Sequence, residues 1–184
     1  EESAAAQKAW TQAQESDATH TAIQGQLRDL GLALEFDVWI AANDRARPYG
    51  EGRLADGCMA QFPDTGGNGA EASRLIDVVW FHRGSHQVAA AFEVEHSTSI
   101  YSGIVRMLDL ALGSPMGYGS RLFLVAPDNR RDEVAQQLRR PAFSRVAELG
   151  IRYLPYGQLK EHASAIQRFG AGIKPLLEIS QQLL

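Results

Sequence analysis

Apolar residues in the N-terminal part of the chain recur at the spacing of an α-helix. The positions that share one helical face are Ile23, Leu27, Leu30 and Leu34. This spacing predicts a helix over residues 19–32, and the Ala- and Gln-rich segment 3–14 predicts an earlier helix, with N-capping residues between the two. We therefore expect an N-terminal helical extension over residues 1–18 and one domain over residues 19–184, a length that can bury a core.

Alternating and short continuous apolar runs further along the chain predict β-strands. The predicted strands are residues 34–41, 74–81, 87–95, 120–126 and 151–154. Helical patterns lie between and after them, at residues 100–112, 127–139 and 157–183. The αβββαβ order predicts an α/β fold with a mixed β-sheet flanked by helices. Its strand–helix–strand unit should cross over in the right-handed sense.

Three acidic residues lie in the second and third predicted strands. Glu93 and Glu95 project from one face, because side chains two apart on a strand point the same way. The polar, Gly-containing segment 81–86 predicts a hairpin between the strands, which would bring Asp77 beside that pair. Neighbouring carboxylates repel one another unless a positive group lies among them. A divalent cation with oxygen ligands is the simplest such group.

Each of these carboxylates also has a purely structural explanation. Asp77 could be satisfied by backbone N–H groups, and Glu93 with Glu95 could form the solvated face of a strand. Ala89 and Ala91 weaken the second explanation, because they share the face of the two glutamates beside an apolar strand. The sequence alone leaves both explanations open.

Composition excludes several classes of protein. The net charge of −4 does not indicate a nucleic-acid binder, and no apolar run reaches the roughly 20 residues that cross a membrane. The single cysteine, Cys58, excludes an internal disulfide and fits a reducing, cytoplasmic location. The chain has no secretory signal and no initiator Met, which leaves room for a further domain N-terminal to it.

Four of the histidines are scattered and predict no histidine-based metal site: His20, His82, His86 and His162.

The arrangement of the three acids resembles the PD-(D/E)XK nuclease superfamily. The resemblance rests on the αβββαβ order, on Asp77 in the second strand and on the motif Glu93-Val94-Glu95 at the end of the third, and it covers residues 19–126. It implies a restriction-endonuclease-like core and hydrolysis of DNA phosphodiester bonds with Mg²⁺ or Mn²⁺. It also implies that Asp77, Glu93 and the backbone carbonyl of Val94 ligate the metal, with Asp77, Glu93 and Glu95 as the catalytic residues.

The chain departs from the usual motif of this superfamily at Glu95, where most members have Lys. A minority of its restriction enzymes have Glu at this position, so we expect Glu95 to position or deprotonate the attacking water, or to bind a second metal. On the first strand, Glu35 or Asp37 could supply a further ligand, or could simply be exposed.

Several polar residues next to the predicted strands are expected to contact DNA. They are Asn43, Arg45, Arg47, Ser97, Ser99 and Arg106. Each also has a local alternative: the loop residues could form a turn, the serines could cap the following helix, and Arg106 could pair with Asp109 one turn later.

Three functional hypotheses follow. The first is a metal-dependent DNA endonuclease domain in bacterial restriction, defence or DNA processing, which we expect to form a homodimer because enzymes that cut both strands commonly do. The second is an inactive nuclease fold that binds nucleic acid or assembles a larger protein, which Glu95 and the acidic net charge allow. The third is an α/β enzyme for a small phosphorylated substrate, which requires a compact pocket rather than an open groove.

Overall fold

The structure is a computed structural model that describes residues 2–64, 70–96, 100–113, 116–143 and 146–183. In these residues, α-helices occupy Glu2–Ala33 (α1), Ala70–Ser73 (α2), Ile100–Gly113 (α3), Arg131–Leu138 (α4), Val146–Leu149 (α5), Tyr156–Phe169 (α6) and Lys174–Ile179 (α7). Strands occupy Asp37–Ile40 (β1), Pro48–Tyr49 (β2), Gly52–Arg53 (β3), Val78–Phe81 (β4), Val88–Val94 (β5), Met116–Ala126 (β6), Arg152–Pro155 (β7) and Gln181–Gln182 (β8). None of the described helices is long and apolar enough to cross a membrane.

A six-stranded sheet runs through the described residues in the order β1-β4-β5-β6-β7-β8. Strands β1, β4 and β5 pair antiparallel, strands β5, β6 and β7 pair parallel, and β8 pairs antiparallel with β7. Helix α3 connects the parallel strands β5 and β6, as the strand–helix–strand pattern predicts. The predicted α/β fold, with a mixed sheet flanked by helices, is confirmed.

Helices cover both faces of the central strands. On one face, Val78 and Trp80 of β4 pack with apolar residues of α1 and α6. On the other face, Val79 and Phe81 pack with apolar residues of α3 and α4. Strands that are buried on both sides consist mainly of apolar residues, and Glu93 is a charged residue in such a strand. Its carboxylate therefore needs a partner inside the protein.

Helix α1 corrects the sequence-based prediction of two separate helices. It continues through residues 16–19, where capping side chains were expected to start a new helix. The hydroxyl of Thr19 donates instead to the backbone carbonyl of Glu15, at 2.9 Å, within the same helix. Hydroxyl side chains can make this bond without ending a helix, so the predicted break is wrong. The division into residues 1–18 and 19–184 stays a prediction.

The end of α1 explains why the first strand is shorter than predicted. Glu35 adopts a left-handed conformation with φ of 65°. The Phe36 N–H donates to the Gly31 carbonyl at 2.9 Å, and the Glu35 N–H donates to the Leu32 carbonyl at 3.2 Å. This pair of bonds is the Schellman arrangement that ends many helices, so β1 begins only at Asp37.

The β4–β5 hairpin determines where the acidic residues meet. Val78 pairs with Phe92 across the two strands, so Asp77, which directly precedes β4, lies beside Glu93. Strand β4 begins later than residue 74, the predicted start of this strand, because the preceding residues form hydrogen-bonded turns after α2. The hairpin of the prediction is confirmed, and its register brings Asp77 to the end of β5.

The close contact between α1 and β4 predicts a loss of stability on replacing Gly31 with Ala. A Cβ atom at Gly31 would lie 2.5 Å from the Trp80 indole nitrogen and 2.7 Å from Val38 Cγ2. Overpacking of this kind destabilises by about 1–3 kcal/mol, which outweighs the roughly 1 kcal/mol that Ala contributes to a helix relative to Gly. Urea unfolding should therefore show a lower midpoint for Gly31→Ala.

The matched control is Thr11→Ala on the exposed part of the same helix, which should change the free energy of unfolding by less than about 0.5 kcal/mol. A Gly31→Ala protein as stable as the wild type would contradict the packing described for this end of α1.

Candidate active site

A polar cleft opens where α1, the loop after β1, the end of β5 and the start of α3 meet. Its volume is about 490 Å³. The titratable side chains that line it are Asp17, His20, Asp44, Arg47, Asp77, Glu95, His96 and Arg106. The cleft thus collects carboxylates, two histidines and two guanidinium groups from distant parts of the sequence.

Asp77 is held in the cleft by donors from both neighbouring elements. Its Oδ2 atom accepts the Val94 N–H at 2.7 Å. Its Oδ1 atom lies 3.1 Å from His20 Nε2 and 3.2 Å from Gln24 Nε2. These contacts satisfy a carboxylate that is only 6% exposed. The predicted proximity of Asp77 to the Glu93-Val94-Glu95 segment is therefore confirmed.

Glu93 is fully buried and forms an ion pair with α3. Arg106 donates to its two carboxylate oxygens through Nε at 2.8 Å and Nη2 at 2.5 Å. Burial raises the pKa of Glu93 well above its ordinary value, the Arg106 hydrogen bonds oppose that rise, and the charge of Asp77 adds to it. Neighbouring carboxylates were expected to need a positive group among them, and in this structure the Arg106 guanidinium is that group for Glu93.

Glu95 shares the α3-facing side of β5 with Glu93, as strand alternation predicts. A Cβ atom at Gly103 of α3 would lie 2.5 Å from Glu95 Oε1 and 3.3 Å from Glu93 Cβ. A residue larger than glycine would therefore displace the Glu95 carboxylate. Arg130 holds the end of this strand, since its Nη1 donates to the His96 carbonyl at 2.9 Å. The Glu95 side chain lines the cleft and is 2% exposed.

His20 belongs to a cluster of ligand-type side chains that the sequence analysis did not anticipate. One donor atom each from His20, Asp44 and Asp77 lies within 4.8 Å of the others, a group that could hold a metal ion. Burial lowers the pKa of His20, but the hydrogen bond and charge of Asp77 outweigh this and raise it above its ordinary value. The sequence did contain an indication of this cluster, because the polar residues His20 and Gln24 lie one turn apart on the otherwise apolar face of α1.

The predicted DNA-contacting residues have different surroundings. Asn43, Arg47 and Arg106 line the cleft. The Arg45 guanidinium instead lies 4.6 Å from the centre of the Trp39 ring and donates to the Met59 carbonyl at 2.9 Å. Ser97 and Ser99 lie outside the described residues.

The two acids of the first predicted strand, Glu35 and Asp37, lie away from the cleft. Asp37 pairs with Phe81 at the opposite end of the β1–β4 ladder from Asp77, and its carboxylate accepts the Gly84 N–H at 2.8 Å. Glu35 is exposed and lies 3.7 Å from Arg83. Neither residue supports the expectation of a further metal ligand on this strand.

The donor atoms of the cleft fit a divalent cation. Asp77 and Glu95 present carboxylates, and Val94 lines the same cleft although its side chain is buried in the core. Hard cations such as Mg²⁺ prefer oxygen ligands of this kind. Glu93 could join such a site only after Arg106 releases its oxygens.

The buried ion pair predicts a large effect of removing Arg106. Arg106→Gln should destabilise the protein by about 3 kcal/mol, because it leaves the Glu93 carboxylate buried without its partner. The double variant Glu93→Gln/Arg106→Gln should lose less, because it also removes the buried charge. Urea unfolding of the wild type, both single variants and the double variant gives the coupling energy.

Arg74→Gln serves as the control, because its exposed pair with Glu71 should contribute less than about 1 kcal/mol. If Arg106→Gln and the double variant were equally stable, the charge of Glu93 would not depend on Arg106.

Comparison with known proteins identifies the family of the chain. Residues 2–175 match the family model described as the type II restriction enzyme NmeDI C-terminal domain. The chain is 36% identical, over 149 residues, to the type II restriction enzyme NmeDI of Neisseria meningitidis serogroup C. That alignment covers 77% of this chain and 41% of the relative, so the chain spans less than half the length of that protein. No solved structure shows significant similarity to the chain. The family match includes every residue of the cleft, and the chain belongs to the family of the NmeDI C-terminal domain, a family of type II restriction enzymes.

Proposed function

We propose that this domain is a divalent-metal-dependent DNA endonuclease of the PD-(D/E)XK type, with Glu at the position of the usual Lys, acting in bacterial restriction. The observation that carries the proposal is the 2.7 Å hydrogen bond from the Val94 N–H to Asp77. This bond joins Asp77, the first acid of the motif, to Val94, which lies between Glu93 and Glu95. Glu95 lines the same cleft. Family membership supports the same reaction.

Asp77 and the Val94 carbonyl would hold the cation, and Glu93 would join them when Arg106 turns away. A bound divalent cation supplies a ligated water of lowered pKa and compensates negative charge on the scissile phosphate. Arg106, once released, can donate two parallel hydrogen bonds to a phosphate from the same side of the cleft. The ion pair with Glu93 therefore holds Arg106 next to the place where it would act.

Glu95 is proposed to accept the proton of the attacking water. A carboxylate oxygen within hydrogen-bond reach of a water can accept its proton. The water oxygen would form the new bond to phosphorus, and the departing ester oxygen would take a proton from solvent. Gly103 leaves the space that the Glu95 carboxylate occupies.

DNA is the proposed substrate, and Asn43, Arg47 and Arg106 are its proposed contacts in the cleft. Contacts of this kind position a phosphate backbone and carry no sequence information by themselves. The relative is longer than this chain, so we propose that a further domain contributes to target recognition. A homodimer and a cytoplasmic location stay predictions.

A second candidate function is favoured by the Glu93–Arg106 pair. A guanidinium fills the position where the motif needs a cation, which suits an inactive nuclease fold that only binds DNA. Plasmid nicking with Mg²⁺ or Mn²⁺ separates the two functions, because an inactive fold should bind DNA without cleaving it at any metal concentration. An enzyme for a small phosphorylated substrate is disfavoured by the match to a family of type II restriction enzymes.

The endonuclease proposal predicts metal-dependent nicking of plasmid DNA. Asp77→Asn, Glu93→Gln and Glu95→Gln should each lower the nicking rate at least about a hundredfold, because each removes a proposed metal ligand or the proposed base. The rate should be measured with Mg²⁺, with Mn²⁺ and with a chelator, which should abolish it.

The control is Glu35→Gln, an exposed carboxylate that pairs with Arg83 away from the cleft, and it should nick at the wild-type rate. Nicking that persists in the Asp77 and Glu93 variants, or in the chelator, would remove the proposal.

The different surroundings of two arginines predict different effects on DNA binding. Arg47→Ala should weaken DNA binding, because Arg47 lines the cleft and could contact a phosphate. The slope of log K against the logarithm of the salt concentration should become smaller in magnitude by about 1. Arg45→Ala should leave the salt dependence unchanged and destabilise the fold, because Arg45 packs on Trp39. Fluorescence anisotropy in the Glu95→Gln background, together with urea unfolding, measures both effects. Equal loss of binding in the two variants would contradict this assignment.

A further inference from the structure

Three ligand-type side chains converge at the α1 side of the cleft. His20 comes from α1, Asp44 from the loop after β1, and Asp77 from the residue before β4, and their donor atoms lie within 4.8 Å of one another. The distance from His20 Nε2 to Asp77 Oδ1 is 3.1 Å. Adjacent ligands around a six-coordinate dication lie roughly 3 Å apart when the metal–ligand distance is about 2.1 Å. The His20–Asp77 pair thus has the spacing of adjacent ligands on one metal ion.

Each carboxylate is held by one oxygen and directs the other toward a common centre. Asp44 Oδ1 accepts the Arg47 Nε–H at 2.6 Å, and Asp77 Oδ2 accepts the Val94 N–H at 2.7 Å. The remaining oxygens, Asp44 Oδ2 and Asp77 Oδ1, converge on Gln24 Nε2 at 2.8 and 3.2 Å. Two buried carboxylates that approach the same point favour a cation there.

Gln24 provides the amide nitrogen on which the two carboxylates converge. Its side chain is fully buried, and its Oε1 atom has no hydrogen-bond partner among the described residues. A buried carbonyl oxygen without a partner is unfavourable. Rotation of the amide by half a turn exchanges nitrogen and oxygen, and it would direct Oε1 at the two carboxylates. That orientation is favourable only when a cation lies between them.

We propose that His20, Asp44 and Asp77 form a cation site of mixed nitrogen and oxygen ligands, with Gln24 as an adjacent donor, and that it takes a first-row transition-metal dication such as Mn²⁺ in preference to Mg²⁺. Imidazole suits transition metals, whereas Mg²⁺ prefers oxygen ligands alone. The site lies beside the Glu93 position and shares Asp77 with it. The inference rests on the proposed function for the role of the cation, but its binding can be measured separately.

Mn²⁺ is the probe for the test, and the imidazole nitrogen is the readout. Pulsed electron paramagnetic resonance of Mn²⁺ bound to the wild-type chain should show ¹⁴N modulation from a coordinated histidine. His20→Ala should abolish that modulation and weaken Mn²⁺ binding more than about tenfold. An excess of about a hundredfold Mg²⁺ should leave the nitrogen-coupled Mn²⁺ in place.

Two other histidines provide matched controls. His86→Ala changes an exposed histidine in the β4–β5 hairpin, and His96→Ala changes one that lines the cleft but stacks on Tyr156. Both variants should keep the ¹⁴N modulation and the Mn²⁺ affinity. Asp44→Asn should weaken Mn²⁺ binding and keep the nitrogen signal at saturating metal. His20→Gln replaces His20→Ala if the alanine variant does not fold.

The proposal is overturned if wild-type Mn²⁺ shows no ¹⁴N modulation, if the modulation survives in the His20 variant, or if that variant binds Mn²⁺ as tightly as the wild type. Plasmid cleavage with Mg²⁺ in the absence of nitrogen coupling would keep the endonuclease function and remove this site. Nitrogen coupling that depends on His20, in a protein that cleaves no DNA, would keep the site and remove the proposed function.

Discussion

The hydrogen bond from the Val94 N–H to Asp77 is the contact on which the candidate site depends. It exists because β4 and β5 form a hairpin whose register brings the residue before β4 next to the end of β5. Both strands are buried on their two faces, and Asp77 beside them is only 6% exposed, so water alone cannot satisfy its carboxylate. The protein instead supplies donors, and these donors define how the oxygens of Asp77 are directed.

The same constraint explains the groups that surround the other acids. Glu93 lies in a fully buried strand and is compensated by Arg106 from α3, while Asp77 is compensated by His20 and Gln24 from α1. Each buried carboxylate therefore has a cationic or amide donor from a helix on its own side of the sheet.

Family membership and geometry give complementary information about this chain. The match to the NmeDI C-terminal domain shows a family of type II restriction enzymes, and the cleft shows which polar and charged side chains of this chain lie together. The relative extends well beyond the matched region. The domain described here contains the cleft, the acidic residues and the cationic side chains that face them.

Local sequence patterns determined most of the secondary structure and the identity of the acidic residues. Strand alternation placed Glu93 and Glu95 on one face, and the hairpin pattern brought Asp77 to them, because these features depend on residues that are close in sequence. The sequence did not reveal that α1 is continuous, that Arg106 pairs with Glu93, that Arg45 packs on Trp39, or that His20 meets Asp44 and Asp77. The contacts of Arg106 and His20 join segments that are distant in sequence, and only the packing of α1 and α3 on opposite faces of the sheet brings those segments together. The continuity of α1 and the position of Arg45 were missed because short polar segments are compatible with more than one local structure.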